Sequence, residues 1–304
     1  DQSEAHNYYP LYLWRNREKV ELQGNVLYET NDLNRGRVAK ERVTYSHDVM
    51  TEEAIQFIRD YADSTFLLHI HWTIPHANNE GGRVTGDGSE IPDYGIYADK
   101  DWPSPEKGFA AMVTRMDADV GRFVDLLKEL NIEKNTVIFF TSDNGPHHEG
   151  GHDHEFFDSN GPLRGYKRDL YEGGIRVPMI VRWPDNVLPG TDTDHASAFW
   201  DYMPTACELA GIEPLESSDG ISYLPVLLGK KQPQHEYLYW KFQGNNHDKQ
   251  AVRSGSWKAV RPAAEAPIEL YDLSQDTGEN HNIADQHPEI IEKMKNYIQE
   301  ANSN

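Results

Sequence analysis

The sequence has little cysteine, an excess of acids over bases and no long apolar run. Cys207 is its one cysteine, which excludes a disulfide within the chain. Lys and Arg number 29 against 50 Asp and Glu, so the formal net charge is −21. Such a surface repels polyanions, which argues against nucleic acid as a partner. No stretch offers the roughly eighteen uninterrupted apolar residues of a membrane span.

What is present is concentrated in one stretch, residues 141–178, which mixes acids, amides, histidines and bases with closely spaced glycines. The β-branched and aromatic run Thr136–Phe140 precedes it and is typical of a strand buried on both faces. Asp143 and Asn144 then fall at the end of that strand, where α/β sheets collect ligands. Two hard oxygen donors there favour a cation site. The alternative is an Asx turn that closes the strand.

Three motifs of this stretch, in order, resemble the second half of the sulfatase family. They are SDNGP at 142–146, GPLRGYK at 161–167 and YEGGIRVP at 171–178. The resemblance continues in DYMPT at 201–205, AVRSGSWK at 251–258 and ELYDL at 269–273. It implies an α/β fold with a mixed sheet flanked by helices. Residues 1–218 would be the later part of the catalytic domain, and residues 219–304 a small C-terminal α+β subdomain.

The same resemblance implies a sulfuric ester hydrolase. A formylglycine aldehyde hydrate attacks sulfur, and sulfate is later eliminated from the covalent adduct. Asp143 and Asn144 would hold Ca²⁺ or Mg²⁺, the cation and Lys167 would neutralise the sulfate, and His76 would assist the ester oxygen. Aromatic residues near the start and a long polar segment favour a sulfated carbohydrate over other sulfate esters. The family also implies a periplasmic or extracellular location.

The formylglycine motif, C-x-P-x-R or S-x-P-x-R, is missing. Cys207 lies in PTACEL, with no Pro or Arg at the required offsets, and Ser104 is followed by Pro105 one place too early. We therefore expect the nucleophile, two further aspartate ligands and the family's Lys-x-His pair upstream of Asp1. A protein of these residues only is expected not to hydrolyse an aryl sulfate.

Three side chains, those of His76, Lys167 and Arg164, are also candidates on chemical grounds. His76 follows a predicted buried strand, Thr65–Trp72, and a protonated imidazole can donate to a sulfate oxygen or a leaving alkoxide. The ammonium of Lys167 can stabilise charge that shifts in the transition state. Arg164 can bind substrate or pair with Asp158. The alternatives are a loop histidine that caps its strand and a solvated surface lysine.

Four histidines, His147, His148, His152 and His154, follow the Asp143–Asn144 turn. Their spacing matches no closed zinc pattern, and the chain lacks thiolates to complete one. We interpret them as loop histidines near the sugar, with His147, His148 and His152 binding its hydroxyls.

Patterns elsewhere predict the supporting elements. Helices are expected from Ser46 or Asp48, along the apolar stripe from Phe109 to Leu130 and over Pro288–Glu300. Asp117 and Asp119 flank that stripe as solvated or paired carboxylates. Residues 78–103 form a long rim loop, and the aromatic opening run packs against the core. From residue 220, short strands alternate with turns, which indicates a small antiparallel sheet.

Two other functions remain open at this stage. A phosphate or phosphonate ester hydrolase of the alkaline-phosphatase-like superfamily would share the metal-bearing strand ends. A non-catalytic relative that binds sulfated glycans would share the fold without turnover.

Overall fold

The computed structural model describes residues 5–28, 38–244 and 247–303. The chain divides into two compact units. The first unit comprises Asp1–Glu133 and His147–Ser159, and the second comprises Lys134–Pro146 and Asn160–Asn304. The predicted domain boundary after residue 218 stays a prediction. Among the described residues, every helix is too short or too polar to cross a bilayer.

The regular elements are numbered in chain order. The α-helices are α1 (Ser46–Asp60), α2 (Asn79–Thr85), α3 (Ser104–Glu129), α4 (Glu172–Ile175), α5 (Tyr202–Ala210), α6 (Leu224–Leu227) and α7 (Pro288–Ala301). The strands are β1 (Tyr12–Arg15), β2 (Glu18–Glu21), β3 (Val26–Leu27), β4 (Ala39–Glu41), β5 (Ile138–Thr141), β6 (Met179–Arg182), β7 (Leu238–Gly244), β8 (His247–Ser254), β9 (Trp257–Arg261) and β10 (Glu269–Asp272). The strand pairs of the described residues are antiparallel.

The first unit is built on an aromatic core. Tyr8 and Tyr9 are 1% and 2% exposed and pack with Tyr45, Ile74 and Met112. The prediction that the opening run packs against the core is therefore confirmed for these two tyrosines. Their burial places the start of the described chain against α3.

Helix α3 begins with proline in its first turn, where the missing N–H costs nothing. The carboxylate of Asp119 lies inside the unit, 2.7 Å from Nε2 of His47 and 3.0 Å from a guanidinium nitrogen of Arg122. Asp117 is exposed. Both positions agree with the prediction of solvated or paired carboxylates, because Asp117 is exposed and Asp119 pairs with His47 of α1.

The buried strand predicted at Thr65–Trp72 is wrong. These residues alternate between exposed and half-buried positions, with Leu67 66% exposed, but they belong to no sheet that the described residues form. The alternation encodes extended backbone, whereas a strand also needs hydrogen bonds from a neighbouring chain segment.

The predicted rim loop at residues 78–103 is only partly a loop. It contains α2, whose N-cap Asn78 accepts a hydrogen bond from the Gly81 backbone N–H at 3.0 Å. Gly86 ends the helix in the left-handed conformation, with φ 81°. These capping signals were present in the sequence, and they outweigh the polar composition that suggested a loop.

In the second unit, β5 pairs with β6, with Thr141 opposite Met179 and Ile138 opposite Arg182. Strand β5 lies close to the predicted run Thr136–Phe140. The prediction that β5 is buried on both faces is wrong, because its residues are half-buried or exposed. Its sheet has two strands among the described residues.

The C-terminal part of the second unit is a four-stranded sheet in the order β10-β9-β8-β7. Helix α7 packs on it through Met294, Tyr297 and Ile298, which meet Val252 and Leu270 of the sheet. The predicted antiparallel sheet with one helix on it is confirmed.

Candidate active site

The turn after β5 is held by backbone packing in the second unit. The Gly145 N–H donates to the Gly174 carbonyl at 3.0 Å, and a Cβ on Gly145 would collide with the Gly173 carbonyl oxygen. Glycine is therefore required at 145, because the turn lies directly on α4. Asp143 and Asn144 directly precede this glycine.

Those two residues present oxygen atoms suited to a hard cation. Asp143 is exposed and Asn144 is half-buried. The Asn144 side-chain amide N–H donates to the Gly145 carbonyl at 3.0 Å, so its Oδ1 is the atom left to accept or coordinate. A carboxylate and an amide oxygen are ligands that Ca²⁺ and Mg²⁺ prefer, and they fill part of a shell of about six to eight. The donor set fits the predicted metal.

Lys167 lies beside this turn. Its backbone N–H donates to the Pro146 carbonyl at 2.8 Å. The loop that carries it is closed by the Asp169 N–H on the Tyr166 carbonyl at 2.8 Å and by left-handed Gly165, with φ 81°. This main-chain bond joins Lys167 to Pro146, which lies two positions after Asn144 in the sequence.

The side chain of Arg164 contacts residues of the second unit. One guanidinium nitrogen donates to the Tyr271 hydroxyl at 2.9 Å and to the Glu279 carbonyl at 3.0 Å. The guanidinium carbon also lies 3.9 Å from the centre of the Tyr171 ring. Substrate binding by Arg164 stays a prediction, and these contacts favour a role in fixing the loop.

A buried ionic cluster supports α4. Lys258 Nζ lies 2.8 Å from Glu172 Oε1 and 3.5 Å from Glu279 Oε1, and the three residues are at most 1% exposed. The Glu172 N–H also donates to Glu279 at 2.6 Å. Burial would raise the pKa of Glu172, but Lys258 and Arg253 hold it below its usual range. Burial raises the pKa of Glu279.

The one sign of this cluster in the sequence is a lysine among the apolar residues of the run Trp257–Val260 in β9. The cluster acts on the site by holding the backbone in place. It fixes Glu172, and with it the Gly173 and Gly174 carbonyls on which the Asp143–Asn144 turn rests.

The first unit contains the predicted histidines. Nδ1 of His76 donates to the Ala77 carbonyl at 2.7 Å, since a carbonyl only accepts. The other ring nitrogen, Nε2, lies 3.4 Å from Glu149 Oε2. His6 stacks on the His76 ring with centroids 4.6 Å apart. A proton on His76 Nε2 would be shared with Glu149, a residue that the sequence reasoning missed.

The rings of His76, His147 and His152 are neighbours in that order. The His76 and His147 rings are 5.6 Å apart, and the His147 and His152 rings 5.0 Å. His147 is 6% exposed and donates from Nε2 to the Pro75 carbonyl at 3.0 Å. The structure therefore groups three of the predicted residues.

His152 is the most enclosed of the three. It is 1% exposed, stacks on Phe109 at 3.8 Å and lies 2.6 Å from Glu106 through Nδ1. Direct contact of His152 with a sugar stays a prediction, and its burial favours a supporting role. His148, by contrast, lies against Asp153 and His154.

Burial lowers the pKa of His152 from 6.5 to about 4. Because the unfolded chain then binds the proton more readily, the stability that neutral His152 contributes is lost as pH falls from about 6.5 to about 4. We expect the wild type to lose up to ~3 kcal/mol more than His152→Gln over that range. Urea unfolding at several pH values measures this. The exposed His281→Gln variant should follow the wild type, and parallel wild-type and His152→Gln curves would contradict the assignment.

Comparison with known proteins bears on this geometry. The sulfatase family profile matches residues 5–212, and that of the C-terminal part of N-sulphoglucosamine sulphohydrolase matches residues 153–304. The chain is 28% identical over 283 residues to N-acetylgalactosamine-6-O-sulfatase of Bacteroides thetaiotaomicron, which covers 83% of this chain and 50% of that protein. It is 34% identical over 284 residues to the steryl-sulfatase of Mus musculus, covering 81% and 43%.

Solved structures agree. The crystal structure of Ps i-CgsB matches with a TM-score of 0.71 at 26% identity, over 86% of this chain and 56% of that chain. The chain thus spans about half the length of the relatives it matches. The predicted α/β fold class and the predicted family are confirmed. Because the family profile covers residues 5–212, more than half of the sequence, the chain belongs to the sulfatase family, whose members generally use a metal ion and a formylglycine.

Proposed function

We propose that these residues supply the sulfate-binding part of a carbohydrate sulfatase. The observation that carries the proposal is the Lys167 N–H to Pro146 carbonyl bond of 2.8 Å, which anchors an ammonium-bearing loop beside Asp143 and Asn144. A hard cation and an ammonium next to each other form a pocket for a compact anion. They also compensate locally for the net charge of −21, which repels anions at long range.

Each residue has a defined part in this proposal. Asp143 and Asn144 hold the cation, Ca²⁺ or Mg²⁺, because both donors are oxygens. The bound cation supplies positive charge that neutralises the sulfate group. Lys167 donates to a sulfate oxygen and stabilises the charge that shifts in the transition state, while the electron pair of the broken ester bond leaves with the alcohol oxygen. The role of His76 at the ester oxygen is carried over from the family as a prediction.

The choice of a carbohydrate rests on the relatives. The protein from Bacteroides thetaiotaomicron is an N-acetylgalactosamine-6-O-sulfatase, and Ps i-CgsB has been solved in complex with k-i-k-neocarrahexaose. Both relatives therefore act on or bind saccharides, and we extend that substrate class to this chain.

The test compares matched esters. The protein expressed from its complete coding sequence is assayed with 4-nitrophenyl sulfate, 4-nitrophenyl phosphate and a 6-O-sulfated N-acetylgalactosamine. We expect turnover of the sulfates, loss of activity with a chelator and its recovery with Ca²⁺. A higher kcat/KM for the phosphate would assign the chain to the ester-hydrolase alternative. Calorimetric binding of the sulfated sugar without any turnover would assign it to the glycan-binding alternative.

A further inference from the structure

We propose that His148, Asp153 and His154 form a second metal site in the first unit, for a zinc-class divalent cation. One ligand atom from each residue lies within 4.8 Å of the other two. This site is separate from the oxygen site at Asp143 and Asn144, and it does not depend on the proposed sulfatase activity.

Two of the three separations between ligand atoms match tetrahedral coordination. Asp153 Oδ1 lies 3.2 Å from Nδ1 of His148 and 3.5 Å from Nδ1 of His154. Two ligand atoms about 2.0–2.1 Å from a zinc ion at the tetrahedral angle are about 3.3 Å apart. The two imidazoles meet edge to face, with centroids 5.7 Å apart and planes at 80°. The third separation, between the two imidazole ligand atoms, is within 4.8 Å, so the three groups are close enough to share one ion.

The donor types select the ion. Two imidazole nitrogens and one carboxylate suit Zn²⁺, Co²⁺, Ni²⁺ or Cu²⁺, whereas Ca²⁺ and Mg²⁺ prefer oxygen. The Asp143–Asn144 turn offers oxygen alone. The chain thus carries two donor sets that take different metals. Three protein ligands leave a fourth position for water, as in open zinc sites.

The carboxylate is already held in place. The Asp153 backbone N–H donates to Glu106 Oε1 at 2.9 Å, and its Oδ1 accepts from the Glu155 N–H at 3.0 Å. Both bonds fix the orientation of Asp153 before an ion arrives, which reduces the ordering cost of binding. The side chains of His148 and Asp153 are 54% and 46% exposed, so an ion can reach them.

Spacing explains why the sequence pattern did not reveal the site. Asp153 and His154 are adjacent, and His148 precedes them by five and six residues, which matches no closed zinc motif. The loop between them turns back through Gly150 and Gly151, with φ of 62° and 91°. A bound ion would cross-link the two ends of this loop. The loop includes Glu149, so the ion would also restrain the carboxylate that faces His76.

Zinc titration tests the proposal. Calorimetry with ZnCl₂ on the metal-free protein is run for the wild type, His148→Ala, Asp153→Asn and the control His281→Ala. His281 also lies beside a carboxylate, 3.6 Å from Asp276, but it is not part of a three-residue group among the described residues. We expect one equivalent of Zn²⁺ in the wild type and in His281→Ala. We expect affinity to fall by more than about tenfold in the other two variants.

An Asp143→Ala background separates this site from the oxygen site. Zinc binding should persist there, even if the proposed sulfatase activity proves wrong. Folding is checked by circular dichroism, and His148 and Asp153 are exposed enough for their replacements to fold. Equal zinc affinity in His148→Ala, Asp153→Asn and His281→Ala would overturn the proposal. So would the absence of zinc binding in the wild type.

Discussion

Replacing Lys258 with methionine is expected to lower the free energy of unfolding by about 3–5 kcal/mol, the range seen when one partner of a buried ion pair is removed. Lys258 is 0% exposed and lies between the carboxylates of Glu172 and Glu279. Without its ammonium, two buried acids face each other in a medium that solvates them poorly. Urea unfolding at neutral pH measures the loss.

The matched control is Lys295→Met on α7. Its partner is Glu292, and both side chains are about half exposed or more, at 47% and 67%. Exposed pairs contribute about 0–1 kcal/mol, so the control should change little. Adding Glu279→Gln to Lys258→Met should recover part of the loss, because one unpaired charge is removed. Equal, small effects of both lysine replacements would contradict the ionic account of this cluster.

Lys167→Ala is expected to lower kcat/KM for a sulfate ester by about 10²–10³-fold, the usual cost of one transition-state donor. The protein for this assay is expressed from its complete coding sequence. The reason is that the Lys167 loop is anchored to Pro146, beside Asp143 and Asn144. Lys167→Arg should recover only part of the rate, because a guanidinium presents its donors in a different geometry.

Arg168→Ala is the control for this variant. Arg168 is the next residue, it is exposed, and its carbonyl accepts from Lys249 at 3.1 Å, a bond that alanine keeps. Its kcat/KM should stay within about threefold of the wild type, which is under 1 kcal/mol. If Arg168→Ala lost as much activity as Lys167→Ala, the loss would reflect the loop as a whole and not the ammonium.

The helices that depend on a local residue pattern were predicted well from the sequence. Helices α1, α3 and α7 have apolar residues at helical spacing, and each was placed within a few residues of its observed bounds. The strand prediction for residues 65–72 was wrong because membership of a sheet depends on a neighbouring segment. Local alternation of residues does not identify that segment. Helix α2 was missed for another reason, because the polar composition of residues 78–103 was read as a loop although Asn78 and Gly86 are capping residues.

In the candidate site, too, local motifs indicated some residues, and contacts between distant segments were not predicted. Asp143, Asn144 and Lys167 were singled out because ordered motifs carry them, and their role in the site stays a prediction supported by the main-chain bond between Lys167 and Pro146. The Glu149 and Glu106 contacts of His76 and His152 were not found, since each joins segments distant along the chain. The buried Lys258 cluster likewise joins residues 172, 258 and 279, and no local pattern predicts such a meeting.

The most direct test of the central claim is a crystal structure of the protein, expressed from its complete coding sequence, with CaCl₂ and a sulfate ester that it does not turn over. The account predicts a cation about 2.3–2.6 Å from oxygens of Asp143 and Asn144. It also predicts Lys167 Nζ about 2.7–3.0 Å from an oxygen of the same sulfate group. A sulfate bound away from Lys167, or a cation bound without Asp143 and Asn144, would contradict it.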